Sequence, residues 1–257
     1  MNIAVIFAGG VGKRMKTNEI PKQFLEINGK PIIIETLEKF EKNSYIDAIV
    51  ISCLESHIDL LKKMIKKYEI SKVRKIVHGG KTGQLSIYNG LVAANEISEK
   101  KDDIVLINDG VIPYIQFTED GEDLLKENVE NVKKYGTSIT CLRQKEGTAI
   151  SKSKQNIDVV TNRNETYIIK APQSFYLKDI LEAENKAIQL GENDIIDSND
   201  VIRKFGKYKS THMTFCGSEN IKITTPYDFF VANGGVELFL KYKQGKILFD
   251  NYYNPIN

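Results

Sequence analysis

The sequence predicts an α/β fold, in which helices cover both faces of a single Rossmann-like, doubly wound and mostly parallel sheet. Three observations predict it. Short apolar runs of strand length alternate with longer amphipathic segments through the first half of the chain. The short runs are rich in Val and Ile, as strands buried on both faces are. No internal repeat and no Pro- or Ser-rich linker divides the 257 residues, so we expect one domain.

Four strands, each followed by a helix, are predicted in the first half of the chain. The strands are residues 2–8, 47–54, 73–78 and 103–108, and the helices are residues 31–42, 56–68, 85–98 and 118–135. This alternation implies parallel strands joined by right-handed crossovers.

The pattern changes after Gly136. Residues 137–142 are strand-like, but residues 143–167 are polar, and a long polar stretch is typical of an arm or a lid in a compact enzyme. We therefore expect a protruding β-arm at about 143–167.

The rest of the chain is expected to form helices at 177–190, 198–205 and 226–242 and a strand at 212–216. The last helix is expected to begin behind Thr225 as its N-cap. The domain is expected to span 1–242, and the tail at 243–257 stays unassigned.

Composition and charge exclude several classes of protein. With 36 Lys and Arg against 34 Asp and Glu, the chain lacks the general positive charge of a nucleic-acid binder. No stretch approaches the ~20 apolar residues of a membrane span, and no basic segment precedes the first apolar run. The 3 cysteines lack paired spacing. We expect a cytoplasmic protein without a nucleic-acid or membrane partner.

The turn after the first strand is the most informative segment. Residues 8–15 read Ala-Gly-Gly-Val-Gly-Lys-Arg-Met, and Lys22 follows behind a proline. Glycines after a buried strand let the backbone approach a ligand and point N–H groups at an anion. Arg14 stands where a Walker loop needs Ser or Thr, and Met15 stands where a dinucleotide fingerprint needs a small residue. Cations on such a loop suit a triphosphate; the alternative is a glycine turn with solvated lysines.

Later motifs extend this pattern in a fixed order. They read Ala8-Gly-Gly-x-Gly-x-Arg-Met with Pro21-Lys-Gln-Phe, Gly79-Gly80 with Ser86 and Gly90, Asn108-Asp109-Gly110 with Pro113, Ala171-Pro172-Gln173-x-Phe175, and Asn220-Ile-Lys222 with Pro226 and Asp228. Together they resemble the pyrimidine nucleotidyltransferases that make CDP-activated polyols, the family of 2-C-methyl-D-erythritol 4-phosphate cytidylyltransferase and ribitol-5-phosphate cytidylyltransferase. The resemblance covers roughly residues 1–240.

The resemblance implies roles for individual residues. Arg14, Lys22 and Lys222 are the expected catalytic cations, which stabilise charge as an acceptor phosphate attacks the α-phosphorus of CTP and pyrophosphate leaves. Asp109, at the end of the fourth strand, is expected to bind the acceptor and Mg²⁺. From the residues alone, Asp109 could cap a turn and Lys222 could be a solvated lysine. The expected nucleotide-binding residues are Ala8, Gly9, Gly10, Gly12, Lys13, Gly80, Ser86 and Gly110.

Two residues of the predicted arm match acceptor-binding positions of the family. Arg163 matches an arginine that reaches from one subunit to grip the acceptor phosphate in the other, and Thr148 aligns with an acceptor-contacting threonine. A guanidinium binds phosphate in a bidentate manner, which justifies Arg at this position. The resemblance therefore implies a homodimer with composite sites, joined through the arm.

Departures from the family pattern fall in the acceptor half. Ile112 stands in place of an arginine that helps bind the acceptor, Asn108 in place of a histidine, and Gly83 in place of another arginine. We therefore expect CMP transfer from CTP to a ribitol 5-phosphate-like polyol or sugar phosphate, giving a CDP-activated precursor for a surface polysaccharide.

Three alternatives stay open. They are methylerythritol phosphate as the acceptor in isoprenoid synthesis, transfer of another nucleotidyl group to a sugar 1-phosphate, and a catalytically inactive nucleotide-binding regulator. Retention of Arg14, Lys22, Asp109 and Lys222 favours an enzyme, because a regulator does not need cations on both sides of the phosphates.

Overall fold

A seven-stranded mixed sheet is the centre of the computed structural model, which describes residues 1–10 and 20–232 together with two short strands near the C-terminus. The strands are β1 Asn2–Ala8, β2 Glu26–Ile27, β3 Lys30–Pro31, β4 Ala48–Cys53, β5 Val73–His78, β6 Ile104–Asp109, β7 Thr137–Arg143, β8 Ala149–Ile150, β9 Val159–Val160, β10 Tyr167–Tyr176, β11 Met213–Phe215, β12 Leu248–Phe249 and β13 Pro255–Ile256. The helices are α1 Ile32–Glu41, α2 Ile58–Lys67, α3 Gly83–Ile97, α4 Leu124–Tyr135, α5 Leu177–Gln189, α6 Ser198–Phe205 and α7 Pro226–Ala232.

The sheet has the order β11-β7-β10-β6-β1-β4-β5. Strands β6, β1, β4 and β5 run parallel to one another, and β11 runs parallel to β7. Strand β10 is antiparallel to both of its neighbours. The predicted α/β fold with a mostly parallel sheet is confirmed.

Two apolar clusters cover the two faces of the sheet. Successive side chains of β1 alternate between them, with Ile3 and Val5 packed against α3 and α5 on one face. Ala4 and Ile6 pack with residues of α1 and α4 on the other face. Because both faces are covered, the strand reads as a continuous apolar run, which is the signal that predicted it.

The sequence prediction was wrong for the start of helix α4, and it omitted one strand of the central sheet as well as the short strands β2 and β3. Helix α4 begins at Leu124 instead of residue 118, because the Asp123 carboxylate accepts hydrogen bonds from the N–H groups of Leu125 and Lys126 at 2.9 and 3.0 Å. Strand β10 was not predicted. It contains Pro172, which lies in the interval where the pairing with β7 shifts register, and a proline inside an apolar run argues against a strand.

The hairpin of β8 and β9 lies between β7 and β10, where the arm was predicted. The helix predicted to reach residue 242 is described as far as Ala232, so the predicted domain limit lies outside the described residues. No helix within residues 1–10 and 20–232 is both long and apolar enough to cross a bilayer.

A carboxyl group is fully buried between α5 and α3. The side chain of Glu184 is 0 % exposed, and its Oε2 accepts a hydrogen bond from Gln84 Nε2 at 2.8 Å. Its Oε1 has no hydrogen-bond partner among the described residues. Burial raises the pKa of Glu184 from 4.5 to about 7, because the charged form loses its hydration.

Replacing Glu184 by Gln should change how stability depends on pH. The folded pKa lies above the unfolded value, so the native state binds more protons than the unfolded state between pH 4.5 and about 7. The free energy of unfolding should therefore fall as pH rises through this window, by at most about 3 kcal/mol. Urea unfolding from pH 4.5 to 8 should show a flatter profile for Glu184→Gln. If the free energy of unfolding depended on pH identically in the two proteins, the raised pKa of Glu184 would be contradicted.

Candidate active site

A pocket of about 590 Å³ opens at the edge of the sheet where the parallel strands β1 and β6 end. Open α/β sheets place their ligand sites at this edge. The pocket combines the turn after β1, the turn before α3, the end of β6 and the segment before α7. Eight residues predicted from the sequence line it together: Ala8, Gly9, Gly10, Lys22, Gly80, Ser86, Asp109 and Lys222.

The two glycine turns meet at the hydroxyl group of Ser86. This Oγ accepts a hydrogen bond from Gly80 N–H at 2.9 Å and donates one to the Thr82 carbonyl at 2.9 Å. A Cβ atom on Gly9 would lie only 2.8 Å from the same Oγ. A side chain at position 9 would therefore displace the hydroxyl group that holds the turn at residues 80–86.

Gly9→Ala should weaken binding of CTP, the nucleotide expected from the sequence, by about tenfold, because the added methyl group pushes Ser86 out of the turn that it holds. Calorimetric titration with CTP measures the effect. Gly83→Ala is the control, since a Cβ atom there meets nothing within 4 Å although Gly83 lines the same pocket. Equal affinities of Gly9→Ala and the wild-type protein would show that this close approach does not shape the pocket.

Lys22 lies on a short 3-10 turn, Lys22–Phe24, that is fixed to the end of β1. The buried Gln23 donates from Nε2 to the carbonyl of Ala8 at 2.7 Å. Lys22 Nζ donates to the carbonyl of Ile223 at 3.1 Å. The turn thus joins the first strand to the segment before α7, and it brings Lys22 into the same pocket as Lys222.

Asp109 and Lys222 form an ion pair inside the pocket, with Oδ2 and Nζ 2.7 Å apart. Asp109 Oδ1 also accepts from Val111 N–H at 3.3 Å, so this residue caps its turn in addition to binding the lysine. The Ile223 N–H donates to the Val111 carbonyl at 2.9 Å and fixes the two segments side by side. Lys222 is therefore directed into the site and is not an outward-facing surface lysine.

The start of α7 is held by a reciprocal cap. Asp228 Oδ2 accepts from the N–H groups of Thr224 and Thr225 at 2.9 and 2.8 Å, and Asp228 N–H donates to Thr225 Oγ1 at 3.3 Å. The helix starts at Pro226 behind Thr225, as predicted. This cap fixes the direction of the segment that carries Lys222.

The donor set around Asp109 suits a hard cation held mainly by a ligand. Among the residues that the structure describes, no group of three or more His, Cys, Asp or Glu side chains could hold a metal ion. Mg²⁺ is usually bound by one or two carboxylates together with substrate phosphates and water. The Asp109 carboxylate in a pocket with Lys22 and Lys222 therefore fits Mg²⁺ that a bound ligand helps to hold, and it does not fit a metal cage built by the protein alone.

Several predicted site residues do not line this pocket. Gly110 is buried at the end of β6, where a Cβ atom would lie 3.1 Å from that of Ala8, so its lack of a side chain serves packing. Thr148 and Arg163 lie on the arm, where Thr148 Oγ1 accepts from Gln144 Nε2 at 2.7 Å and Arg163 is exposed. The remaining predictions, Gly12, Lys13 and Arg14, fall outside the described residues.

The departures from the family pattern differ in their location. Ile112 is 3 % exposed and packs in the apolar cluster on the α1 side of the sheet, so its side chain takes no part in the pocket. Asn108 is fully buried and donates from Nδ2 to the Asp109 carbonyl at 2.9 Å. Gly83, the first residue of α3, lines the pocket.

The sequence prediction missed further pocket residues, among them Gln23, Lys81, Thr82 and Thr224. Thr82 is the N-cap of α3, and its Oγ1 accepts from Leu85 N–H at 3.2 Å. A threonine directly before an amphipathic segment is a capping signal, which could have placed the helix start at the pocket.

Comparison with known proteins gives a consistent result. The family model described as IspD: 2-C-methyl-D-erythritol 4-phosphate cytidylyltransferase matches residues 2–237. A ribitol-5-phosphate cytidylyltransferase of Streptococcus agalactiae serotype V is 44% identical over 232 residues, which are 90% of this chain and 93% of the relative.

A 2-C-methyl-D-erythritol 4-phosphate cytidylyltransferase of Clostridium botulinum strain 657 is 36% identical over 231 residues, 90% of this chain and 95% of the relative. Among solved structures, 4-diphosphocytidyl-2C-methyl-D-erythritol synthase from Anaerococcus prevotii superposes with a TM-score of 0.76 at 26% identity, covering 92% of this chain and 96% of that one.

Proposed function

The chain belongs to the 2-C-methyl-D-erythritol 4-phosphate cytidylyltransferase family, and from that premise we propose that it transfers CMP from CTP to ribitol 5-phosphate and releases pyrophosphate. The choice of acceptor is supported by 44% identity to a relative named for ribitol 5-phosphate, against 36% to one named for methylerythritol phosphate. Methylerythritol phosphate is the less favoured alternative.

One observation carries the proposed chemistry: Lys22, Lys222 and the Asp109 carboxylate, from distant parts of the chain, converge in one pocket beside glycine turns. In the reaction, an oxygen of the acceptor phosphate bonds to the α-phosphorus of CTP. The bond from that phosphorus to the bridging oxygen breaks, and pyrophosphate leaves with the electron pair. Lys22 and Lys222 stabilise the negative charge, and alignment of the reactants supplies most of the remaining rate.

The glycine turns are the proposed site of the cytosine nucleotide. Gly9 and Gly80 place backbone groups at the pocket wall, and Ser86 holds the second turn in place. Backbone N–H and C=O groups can read the donor and acceptor edge of a base, and the absence of side chains at the glycines lets the base approach them. The proposal also includes Arg14 and Lys13, which the sequence places after the first turn.

Enzymes of this family generally use a divalent metal ion, and we propose Mg²⁺ here. Asp109 would hold it together with oxygens of the triphosphate. When bound, the ion neutralises phosphate charge. Lys222 keeps the Asp109 carboxylate directed into the pocket by the 2.7 Å ion pair.

We propose that the protein is a homodimer in which each arm completes the partner's site. Apolar side chains of the arm are exposed in the single chain, among them Ile157 and Val160, each 69% exposed. Apolar surface of this kind marks interaction sites. The proposed role of Arg163 and Thr148 is to bind the acceptor phosphate in the partner's pocket.

We also propose that the reaction takes place in the cytoplasm and that its product is used for the synthesis of a surface polysaccharide.

Mixing two inactive variants tests this composite site. Lys22→Ala damages the pocket and Arg163→Ala damages the arm, so a mixed dimer would hold one site with both native residues. If dimers form at random, about one quarter of wild-type activity should return after the variants are mixed and allowed to exchange subunits. Pyrophosphate release measures the recovery. Mixing Lys22→Ala with Lys222→Ala is the control, since both residues belong to the same pocket and no intact site forms. No recovery in the first mixture would place Arg163 outside the partner's site.

The reaction is tested by pyrophosphate release with each of the four nucleoside triphosphates against ribitol 5-phosphate, methylerythritol phosphate and sugar 1-phosphates. We expect release with CTP and ribitol 5-phosphate, and a loss of at least about a hundredfold in Arg14→Ala and Lys22→Ala. Preferential turnover of methylerythritol phosphate would overturn the acceptor assignment. No release with any combination would favour a regulator that binds nucleotide without catalysis.

A further inference from the structure

The buried side-chain amide of one glutamine joins the turn at residues 80–86 to residues 192–195, a loop that does not line the pocket. Gln84, 2% exposed, lies in the first turn of α3 between the pocket residues Gly83 and Ser86. Its Nε2 donates to Glu184 Oε2 at 2.8 Å and to the Glu192 carbonyl at 3.2 Å. Its Oε1 accepts from Ile195 N–H at 2.8 Å. Both ends of the amide are therefore engaged with residues far away in the sequence.

A second side chain of the same turn binds the same loop. Thr82 Oγ1 donates to the Asn193 carbonyl at 2.5 Å, between the two backbone groups that Gln84 binds. The loop follows Gly191, whose positive φ of +84° turns the chain after the end of α5. Residues 192–195 are thus attached to the start of α3 through three backbone groups, by the side chains on either side of Gly83.

The turn at residues 80–86 is held from two sides as a result. On the pocket side, the Ser86 hydroxyl binds Gly80 N–H and the Thr82 carbonyl. On the opposite side, Gln84 binds the loop and the buried carboxyl group of Glu184. Loss of the amide would leave the fully buried carboxyl group of Glu184 without the hydrogen bond to its Oε2, which costs more than a typical hydrogen bond is worth. The partly exposed loop at residues 192–195 would then no longer be tied to the turn through Gln84.

We propose that Gln84 is a positioning residue for the nucleotide: by holding residues 192–195 against the start of α3, it fixes Gly80 and Ser86 where the base binds. This inference rests on the proposed function of the pocket. Gln84 acts through the turn and does not itself touch the nucleotide. Its loss therefore weakens CTP binding and leaves the charges around the phosphates in place.

The test compares Gln84→Leu, which keeps the size of the side chain and removes the amide, with a matched control. Tyr88→Phe removes another hydrogen bond between α3 and α5, from Tyr88 Oη to Asn185 Oδ1 at 2.9 Å, without touching residues 192–195. In Gln84→Leu we expect the Kd and the KM for CTP to rise about tenfold, with kcat and the KM for ribitol 5-phosphate within about twofold of wild type. Tyr88→Phe should keep all four values within about twofold.

Exchanging the side chains at positions 84 and 184 tests whether a restored contact also restores CTP binding. Gln84→Glu alone places a second carboxyl group against Glu184, whereas Gln84→Glu combined with Glu184→Gln restores an amide and a carboxyl group at the two positions. The double variant should bind CTP more tightly than the single Gln84→Glu. Gln84→Asn, whose shorter side chain cannot span the same partners, serves if Gln84→Leu does not fold, and the same rise in Kd is expected from it.

The outcomes separate this inference from the proposed function. Unchanged CTP affinity in Gln84→Leu, or an equal loss in Tyr88→Phe, overturns the positioning role while CMP transfer stands. A wild-type protein that binds a different nucleoside triphosphate, with Gln84→Leu binding it about tenfold more weakly, overturns the choice of CTP and supports the positioning role. If the wild-type protein binds no nucleoside triphosphate, both are overturned.

Discussion

Lys222→Ala is expected to lower kcat/KM for pyrophosphate release about a thousandfold, equivalent to about 4 kcal/mol of transition-state stabilisation. Two effects add. The variant loses a cation from the proposed phosphate site, and the Asp109 carboxylate loses the partner that lies 2.7 Å away in the native pair. Without that partner the carboxylate is less well held in the pocket, and less positive charge faces the phosphates of the proposed substrate.

The effect is measured by pyrophosphate release at several CTP and acceptor concentrations. Lys204→Ala is the matched control, because Lys204 forms a 2.8 Å ion pair with Asp200 on α6, away from the pocket. That exposed pair should contribute little, so the control should stay within about twofold of wild type. Lys222→Arg, which keeps the charge, should recover part of the lost rate. A loss of less than about tenfold in Lys222→Ala would remove Lys222 from the catalytic residues.

Asp109→Asn is the second change with a large expected effect, a loss of activity of about a hundredfold or more. The amide oxygen can still accept from Val111 N–H, so the turn after β6 should keep its shape. The variant loses the negative charge that would hold the metal ion, and it releases Lys222 from its pair. Activity should therefore need a higher Mg²⁺ concentration than in the wild-type protein.

A titration of activity against Mg²⁺ at saturating CTP distinguishes the roles of this carboxylate. Asp200→Asn is the control, because it breaks the surface pair with Lys204 and leaves the pocket unchanged. The double variant Asp109→Asn with Lys222→Ala should lose less than the product of the two single losses, since each change disrupts the same pair. An unchanged Mg²⁺ requirement with nearly full activity would contradict the metal-binding role.

The helices and strands that were predicted well are those whose own residues show the apolar run or the helical period. Strands β1 and β5 occur with the predicted bounds, and α6 begins and ends where its period indicated. Strand β10 depends on pairing with β6 and β7, which are distant in sequence, and Pro172 hides it from a local reading. Its ten residues form a strand because two neighbouring strands provide partners, and such pairing overrides local preference.

For the site as well, the residues that could be predicted are those marked by motifs in the sequence, and the residues that could not are those that depend on contacts with distant segments. Glycines and cations after the first strand indicated Gly9 and Lys22, the family resemblance implied Lys222, and the structure brings all three to one pocket. The function of Gln84 was not foreseeable, since its partners Glu184 and Glu192 lie 100 and 108 residues away. A glutamine in a helix carries no local sign of such contacts. Ile112 could not be placed either, because its burial depends on packing with other parts of the chain.

Strands β7 and β10, which flank the arm, are hydrogen-bonded neighbours in the sheet. Both ends of the arm therefore return to one place, so its length and side chains can change without altering the order of the strands. With the proposed roles of Arg163 and Thr148, the part of acceptor recognition that belongs to the arm can vary independently of the glycine turns. Under that proposal, mutations in the arm alter the choice of acceptor while the pocket that holds Lys22 and Lys222 stays intact, which is a route from one ancestral enzyme to several biosynthetic pathways.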